Sequence, residues 1–284
     1  MVLLDRATHK DKTSVKNIPR ISLFEDYGLA SAFDGTADLL NLKKTTGELR
    51  TLTGPIVSVI IPALNEEKSL GYVINEANVV LDDLGIPHEV IVVDDGSSDE
   101  TGIVAASCKA LVLTNGKNRG KGYSLRKALK YASGDIIVTI DSDGEHNPKE
   151  IPALVTQVLC GADIVAGSRF LSQQSNVTSK LNEFGNTMFN IAIMMLTGNK
   201  ITDSQTGFRA AKRKVFDQLN LTSDGYEIES EITIKSLMGG FLFKELPISV
   251  QRRKYSKSKL RILSDGAKIL STILKYSFSP ENKA

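Results

Sequence analysis

Two carboxylates, Asp141 and Asp143, follow the apolar run 136–140 with only Ser142 between them. If that run is a buried strand, side chains at i and i+2 share a face, so both acids aim at one crevice beyond its carboxyl end. Paired hard oxygens suit Mg2+ or Mn2+, which often share such ligands with a diphosphate, and Glu145 stands close enough in sequence to add a third. A structural reading competes with this one: acids in a loop also solvate turns, or cap the helix expected over 148–159.

Two further polar clusters have the same placement. Asn65 and Glu66 follow the apolar run 57–61, and Asp94, Asp95, Gly96 and Ser97 follow 89–93. The pattern predicts strands over 57–61, 89–93, 110–113, 136–140 and 163–166, and helices over 69–84, 100–109, 121–132 and 148–159. Short apolar strands alternating with amphipathic helices specify an α/β fold, a mostly parallel sheet flanked by helices. Ligands of such sheets bind outside the carboxyl ends of the strands, where all three acidic clusters fall.

Beyond residue 167 the alternation breaks. A helix over 179–196 places Leu181, Phe184, Met188, Ile191 and Met195 on one face, and the run 260–278 is amphipathic with Lys and Arg on its polar side. Residues 1–54 show no sustained period and read as an N-terminal extension. The main domain is expected over 55–260 and a C-terminal amphipathic helix over 261–284.

Composition narrows the class. With 284 residues, 41% apolar and 24% charged, the chain can bury a sizeable core. A formal net charge of +2 gives no reason to expect a nucleic-acid partner. The opening residues Asp5, Arg6, His9, Lys10, Asp11 and Lys12 lack the order of a signal peptide. The longest apolar stretch, 191–196, falls far short of the roughly 20 residues of a spanning helix. Cys108 and Cys160 lack metal-ligand spacing and are expected as reduced, buried thiols of a cytosolic protein.

Seven motifs recur in collinear order from Val57 to about Leu260. They are Val57-Ser-Val-Ile-Ile-Pro-Ala-Leu-Asn-Glu66, Val92-Val-Asp-Asp-Gly-Ser-Ser-Asp99, Asn118-Arg-Gly-Lys-Gly122, Asp141-Ser-Asp-Gly-Glu-His-Asn-Pro148, Gly167-Ser-Arg169, Asp203-Ser-Gln-Thr-Gly-Phe-Arg209 and the basic stretch from Arg253 to Lys259. Together they resemble the inverting GT-A (Rossmann-like) glycosyltransferases of family two, and among them the polyprenyl-phosphate (dolichyl-phosphate) sugar synthases. The resemblance implies that Pro62, Leu64 and Glu66 line the base and ribose pocket; a helix-capping role competes for Glu66. Asp94 and Asp95 could hold base or ribose, with the resemblance favouring Asp95 for the base and an Asx turn as the alternative. Asp141, Ser142 and Asp143, with Glu145, would hold the cation and donor diphosphate. Arg119 and Lys121 open a helix, where backbone N–H groups also attract phosphate.

The same resemblance assigns Arg169 and Arg209 to an acceptor phosphate and the pyrophosphate, and Arg253, Lys257 and Lys259 to a late basic loop over the donor. That loop usually carries a glycine where this chain has Ser256. A lipid phosphate is already anionic and needs no strong general base, so Asp143, Arg169 and Arg209 are the expected catalytic groups. His146 would touch the sugar or steady the turn. The segment 184–196, with Lys268 and Lys275 later on, resembles the surface by which such enzymes rest on a membrane; a peripheral position on the cytoplasmic face is the expectation. The metal-loop sequence and Gly225-Tyr-Glu-Ile-Glu-Ser-Glu231 favour a UDP-sugar carrying a hexose or N-acetylhexosamine. The alternatives are a GDP-mannose-dependent dolichyl-phosphate mannose synthase, transfer to a saccharide hydroxyl with Asp203 or Glu229 as base, and a silent nucleotide-binding domain. A nucleotidyltransferase would carry a glycine-rich loop where Pro62 to Glu66 stand.

Overall fold

The computed structural model describes residues 57–171, 180–253, 255, 259 and 261–277, with backbone alone at 180–182, 262 and 263. The 1–54 extension, Ser256, Lys257 and the Leu181 side chain lie outside the described residues. Every described residue belongs to one compact unit, Leu52–Ala284.

Its elements are β1 (Val57–Ala63), α1 (Leu70–Asp83), β2 (His88–Asp94), α2 (Thr101–Ser107), β3 (Leu111–Thr114), α3 (Lys121–Leu129), β4 (Ile136–Thr139), α4 (Ile151–Leu159), β5 (Ile164–Ser168), α5 (Lys180–Thr197), β6 (Arg209–Lys212), α6 (Arg213–Gln218), α7 (Ile228–Met238), β7 (Phe243–Pro247) and α8 (Ile262–Ser277). One seven-stranded sheet has the order β3-β2-β1-β4-β6-β5-β7. All neighbours pair in parallel except β6, which runs antiparallel between β4 and β5. The mostly parallel α/β sheet expected from the sequence is therefore present, with two strands that periodicity did not reveal. β6 is short and ends in Lys212, and β7 is a half-buried edge strand ending in a proline; neither carries an apolar run.

Both faces of the sheet are covered, which explains the near-continuous apolar strands. Val57, Val59, Ile61, Val90, Val92 and Val138 point into one core shared with α1 and α4. Ile60, Ile91, Val93 and Ile137 point into the other, against α3, α6 and α7. A third cluster joins α5, α7 and α8 through Ile193, Ile234, Ile269 and Ile273. The helix expected at the C-terminus thus belongs to the same unit as the sheet, held by one side while Leu270 and Leu274 stay exposed on the other. Cys160 is exposed and Cys108 only half-buried, correcting the expectation that both are buried; each closes a helix as its C-cap, where solvent reaches.

Candidate active site

From β1 the chain builds β2 and β3 outward on one side, then returns to place β4 on the other. The crevice between the carboxyl ends of β1 and β4 is the point where strand order reverses, the usual ligand site of an open α/β sheet. A cleft of about 350 Å³ opens there, within the range of small-molecule sites. Pro62, Leu64 and Glu66 after β1 and Asp95 after β2 form one wall, and Lys121 at the start of α3 sits behind them. Asp141, Ser142 and Asp143 after β4 face them, with Arg253 and Lys259 from the late basic stretch. Asp94, Glu145, Arg169 and Arg209 are not among the residues lining this cleft.

The two acids at the end of β2 have different work. Asp94, the last residue of β2, accepts at Oδ1 from the backbone N–H of Ser97 three residues on at 2.9 Å, a local turn bond rather than the i, i+2 Asx turn expected. Asp95 holds the next loop: Oδ1 accepts from Asn115 Nδ2 at 2.7 Å and the Arg119 N–H at 2.8 Å, and Oδ2 from the Gly120 N–H at 2.8 Å. A carboxylate oxygen can accept twice, so Oδ2 keeps capacity for a donor in the cleft. Gly120 sits at φ +101°, and a Cβ there would lie 2.3 Å from the Asp224 carbonyl oxygen, so only glycine lets α3 start this close to the opposite wall. Glu66 accepts from the Ser69 hydroxyl at 2.8 Å and from Lys259 Nζ at 2.5 Å. Lys259 also donates to the Leu64 carbonyl, tying the late basic stretch over the first loop.

A chain of charges runs from the cleft into the interior. Lys121 Nζ lies 2.5 Å from Asp141 Oδ1 and 2.8 Å from Glu229 Oε1, and Glu229 Oε2 lies 3.2 Å from Arg209 Nε. Burial pushes the Asp141 carboxyl up, but the Lys121 ammonium, with His146 and Arg253 behind it, outweighs burial and holds it at about 2. Burial pulls the Lys121 ammonium down, and the two carboxylates more than reverse this. Gly207 lets the pair form: a Cβ there would stand 2.4 Å from Lys121 Nζ and 2.6 Å from Asp141 Oδ2.

Asp143 is in a different state. Its carboxyl is raised by burial and by the neighbouring Asp141 charge, against the pull of Arg253. The Arg253 guanidinium bridges Asp143 at 2.9 Å and Glu145 at 3.0 Å, so these two carboxylates are already spaced to share one cation. Among the described residues no group of three His, Cys, Asp or Glu side chains converges as a metal holder. The expected set Asp141, Asp143 and Glu145 is thus not assembled. β4 ends at Thr139, so strand alternation does not govern Asp141 and Asp143, and Lys121 claims Asp141. The donor set fits a divalent ion held between Asp143 and Glu145. Neither acid caps the following helix; the Asn147 side chain accepts from the Lys149 N–H instead. His146 is buried, packs on the Phe208 ring at 5.6 Å and makes no hydrogen bond through its ring nitrogens, which places it as packing under the turn.

The two arginines expected at the acceptor are committed elsewhere. Arg169 grips Asp203 with Nε at 2.7 Å and Nη2 at 2.8 Å. Arg209 is fully buried and donates to the carbonyls of Thr206, Ser204 and Glu229 and to the Thr233 hydroxyl, besides pairing with Glu229. It begins β6 and is fully buried, and it is not among the residues lining the cleft. Its assignment to the acceptor phosphate is corrected to support of Glu229, and so of Lys121.

Further residues complete the walls: Tyr226 and Glu227 belong to the 225–231 stretch read above for the donor, Lys268 was read as a membrane contact, and Asp224, Arg261 and Asp265 were missed. Asp224, Tyr226 and Glu227 come from the loop before α7, and Arg261, Asp265 and Lys268 from the start of α8. Burial raises the Tyr226 phenol, and the charges of Lys121, Asp141, Arg253 and Asp265 all act on it, so the acidic rim and the α8 wall converge around this side chain. The signal that could have found Arg261 and Asp265 is their i, i+4, i+7 spacing with Lys268, which puts the three on one helical face.

The comparisons agree with this geometry. An uncharacterized protein of Methanocaldococcus jannaschii is 33% identical over 82% of this chain and 97% of its own length. An undecaprenyl-phosphate 4-deoxy-4-formamido-L-arabinose transferase of Salmonella paratyphi B is 30% identical over 72% of this chain, which spans 62% of that enzyme's length. Glucosyl-3-phosphoglycerate synthase from Mycobacterium tuberculosis, solved with Mn2+, uridine diphosphate and phosphoglyceric acid, superposes with a TM-score of 0.65 at 26% identity, over 81% of each chain. Residues 58–219, more than half of the chain, match the model of glycosyl transferase family 2, and with the strand-end cleft in a GT-A-like sheet this makes the chain a nucleotide-sugar glycosyltransferase belonging to that family.

Proposed function

We propose that this enzyme transfers a hexose or N-acetylhexosamine, with inversion, from a nucleotide sugar to a polyprenyl (dolichyl) phosphate, and that the donor is a UDP-sugar. The observation that carries the choice of acceptor is the pairing of Asp203 with Arg169 and of Glu229 with Arg209 and Lys121. These were the carboxylates available as a base for a hydroxyl acceptor, and both are buried with their oxygens turned to Arg169, Lys121 and Arg209 rather than to the cleft. A phosphate monoester is already ionised. Its oxygen attacks the anomeric carbon as the bond from that carbon to the diphosphate oxygen breaks, and the nucleoside diphosphate leaves with both electrons. Phosphate-bearing acceptors also stand in the names of the relatives: undecaprenyl phosphate for the Salmonella enzyme and phosphoglyceric acid for the Mycobacterium structure.

Asp143 and Glu145 would hold Mg2+ or Mn2+, which supplies Lewis-acid stabilisation of the leaving diphosphate. Lys121 neutralises Asp141 at the same rim, and Pro62, Leu64, Glu66 and Asp95 offer the base and ribose wall. The apolar face of α5 supports a lipid acceptor: Phe184 is 65% and Met195 80% exposed, with Met188 and Ile191 between them on the same stripe. No helix among the described residues is long and apolar enough to cross a membrane. We therefore place the enzyme peripherally on a membrane, with α5 against the lipid, and on the cytoplasmic face, in keeping with two free thiols.

A saccharide-hydroxyl acceptor keeps one observation in its favour. Glu227 lines the cleft and its Oε2 is buried without a hydrogen-bond partner. The test is transfer of radiolabel from a panel of UDP- and GDP-sugars to dolichyl phosphate in detergent, with Mg2+, Mn2+ or chelator. A chloroform-soluble, chelator-sensitive product from a UDP-sugar is expected. Label appearing only on added oligosaccharide, and lost in Glu227→Gln, would favour the hydroxyl reading.

A further inference from the structure

Once Arg169 and Arg209 are seen to be committed to Asp203 and Glu229, the acceptor anion needs other partners. Most cations of the cleft are committed as well: Lys121 to Asp141 and Glu229, Arg253 to Asp143 and Glu145, and Lys259 to Glu66. Arg119 lies over the Tyr123 ring at 4.3 Å, beside the loop that Asp95 holds on the donor side. Arg261 and Lys268 differ. Both line the cleft and are exposed, and among the described residues neither side chain has an ion pair.

Arg261, Asp265 and Lys268 share one face by their i, i+4, i+7 spacing, and the two cations stand about 10 Å apart along the axis. Asp265 between them is paired, among the described residues, with neither side chain. It is 7% exposed, and its Oδ2 accepts from the Arg261 N–H at 2.7 Å, closing the first turn of α8. This wall shares Tyr226 with the acidic rim, so an anion held here lies beside the groups expected to react. We propose that Arg261 and Lys268 bind the phosphate monoester of the acceptor, with α8 as the acceptor wall of the cleft. This assignment rests on the reading that the acceptor is a phosphate, whether it comes as a lipid or as a small phosphorylated acid.

The test uses the full chain, with the donor that the wild type uses and two acceptors, farnesyl phosphate in detergent and 3-phosphoglycerate. The variant Arg261→Ala with Lys268→Ala, both at exposed positions, should raise the KM of the accepted phosphate at least roughly tenfold, the effect of losing two charge-assisted contacts. Donor KM should stay unchanged, and Arg261→Lys should recover most of the loss, because charge rather than fork geometry is at issue. The acceptor used by the wild type names the source of the phosphate. An unchanged acceptor KM in the double variant, or a donor KM rising in step with it, would overturn the assignment while leaving the proposed reaction standing. Failure of the wild type to use either phosphate would remove the reaction and this assignment together. Lys268→Ala alone, with a several-fold rise in acceptor KM, keeps the test open should the double variant fold poorly.

Discussion

Replacing Glu231 with glutamine removes one charge from the interior while keeping the shape of the side chain. Glu231 is fully buried on α7 and ties three parts of the molecule together. It accepts from the Thr222 and Ser223 N–H groups at 2.8 to 3.1 Å, from the Tyr276 hydroxyl of α8 at 2.9 Å, and pairs with Lys235 at 2.8 Å. Burial raises its carboxyl, but the Lys235, Ser223 and Tyr276 bonds outweigh that and hold it at about 2, against an ordinary 4.5. That lowering corresponds to about 3 kcal/mol of stability in the ionised form. A carboxyl lowered on folding contributes above its unfolded value and loses that contribution as the pH falls toward its folded value. The contribution is therefore complete at pH 7 and declines between about 4.5 and about 2. Urea unfolding of both chains at pH 7 and pH 3 measures it, because every other titrating group is common to the pair. Glu231→Gln should be less stable by about 3 kcal/mol at pH 7 and by less than half of that at pH 3. A gap of the same size at both values would show that glutamine costs packing rather than charge, and would refute the reasoning.

Two substitutions around Lys121 separate positioning from stability. Gly207→Ala should push a methyl between Lys121 and Asp141 and lower kcat/KM by roughly ten- to hundredfold, with thermal unfolding little changed; near-normal turnover would mean that the pair has no part in donor binding. Arg209→Ala should leave Glu229 buried beside an empty guanidinium site and destabilise by about 3–5 kcal/mol, seen as a Tm lower by roughly 10 °C. A variant with unchanged Tm and a raised acceptor KM would instead return Arg209 to the acceptor.

Chain order alone determined the framework. The apolar runs at β1, β2 and β4 must pair and be covered on both faces, and the residues following each run must then reach one edge of the sheet. Pro62 to Glu66, Asp95 and Asp141 to Asp143 were legible because their position depends only on which strand they follow. The sheet's interruption by antiparallel β6 was not, since Arg209-Ala-Ala-Lys212 has no period long enough to announce a strand.

Tertiary structure decided which charges are spent on one another. Lys121 meets Asp141, Arg169 meets Asp203 and Arg209 meets Glu229 across 20 to 34 residues of chain. No local rule of propensity or spacing encodes a choice of ion-pair partner. Arg169 and Arg209 follow glycines in motifs that look exposed, yet one grips a buried aspartate and the other lies in the core. Arg261 and Lys268, unremarkable on an amphipathic helix, stand in the cleft because Ile269 and Ile273 pack α8 against α5 and α7. Helix periodicity says that a face is polar; only packing of the opposite face says what that polar face confronts.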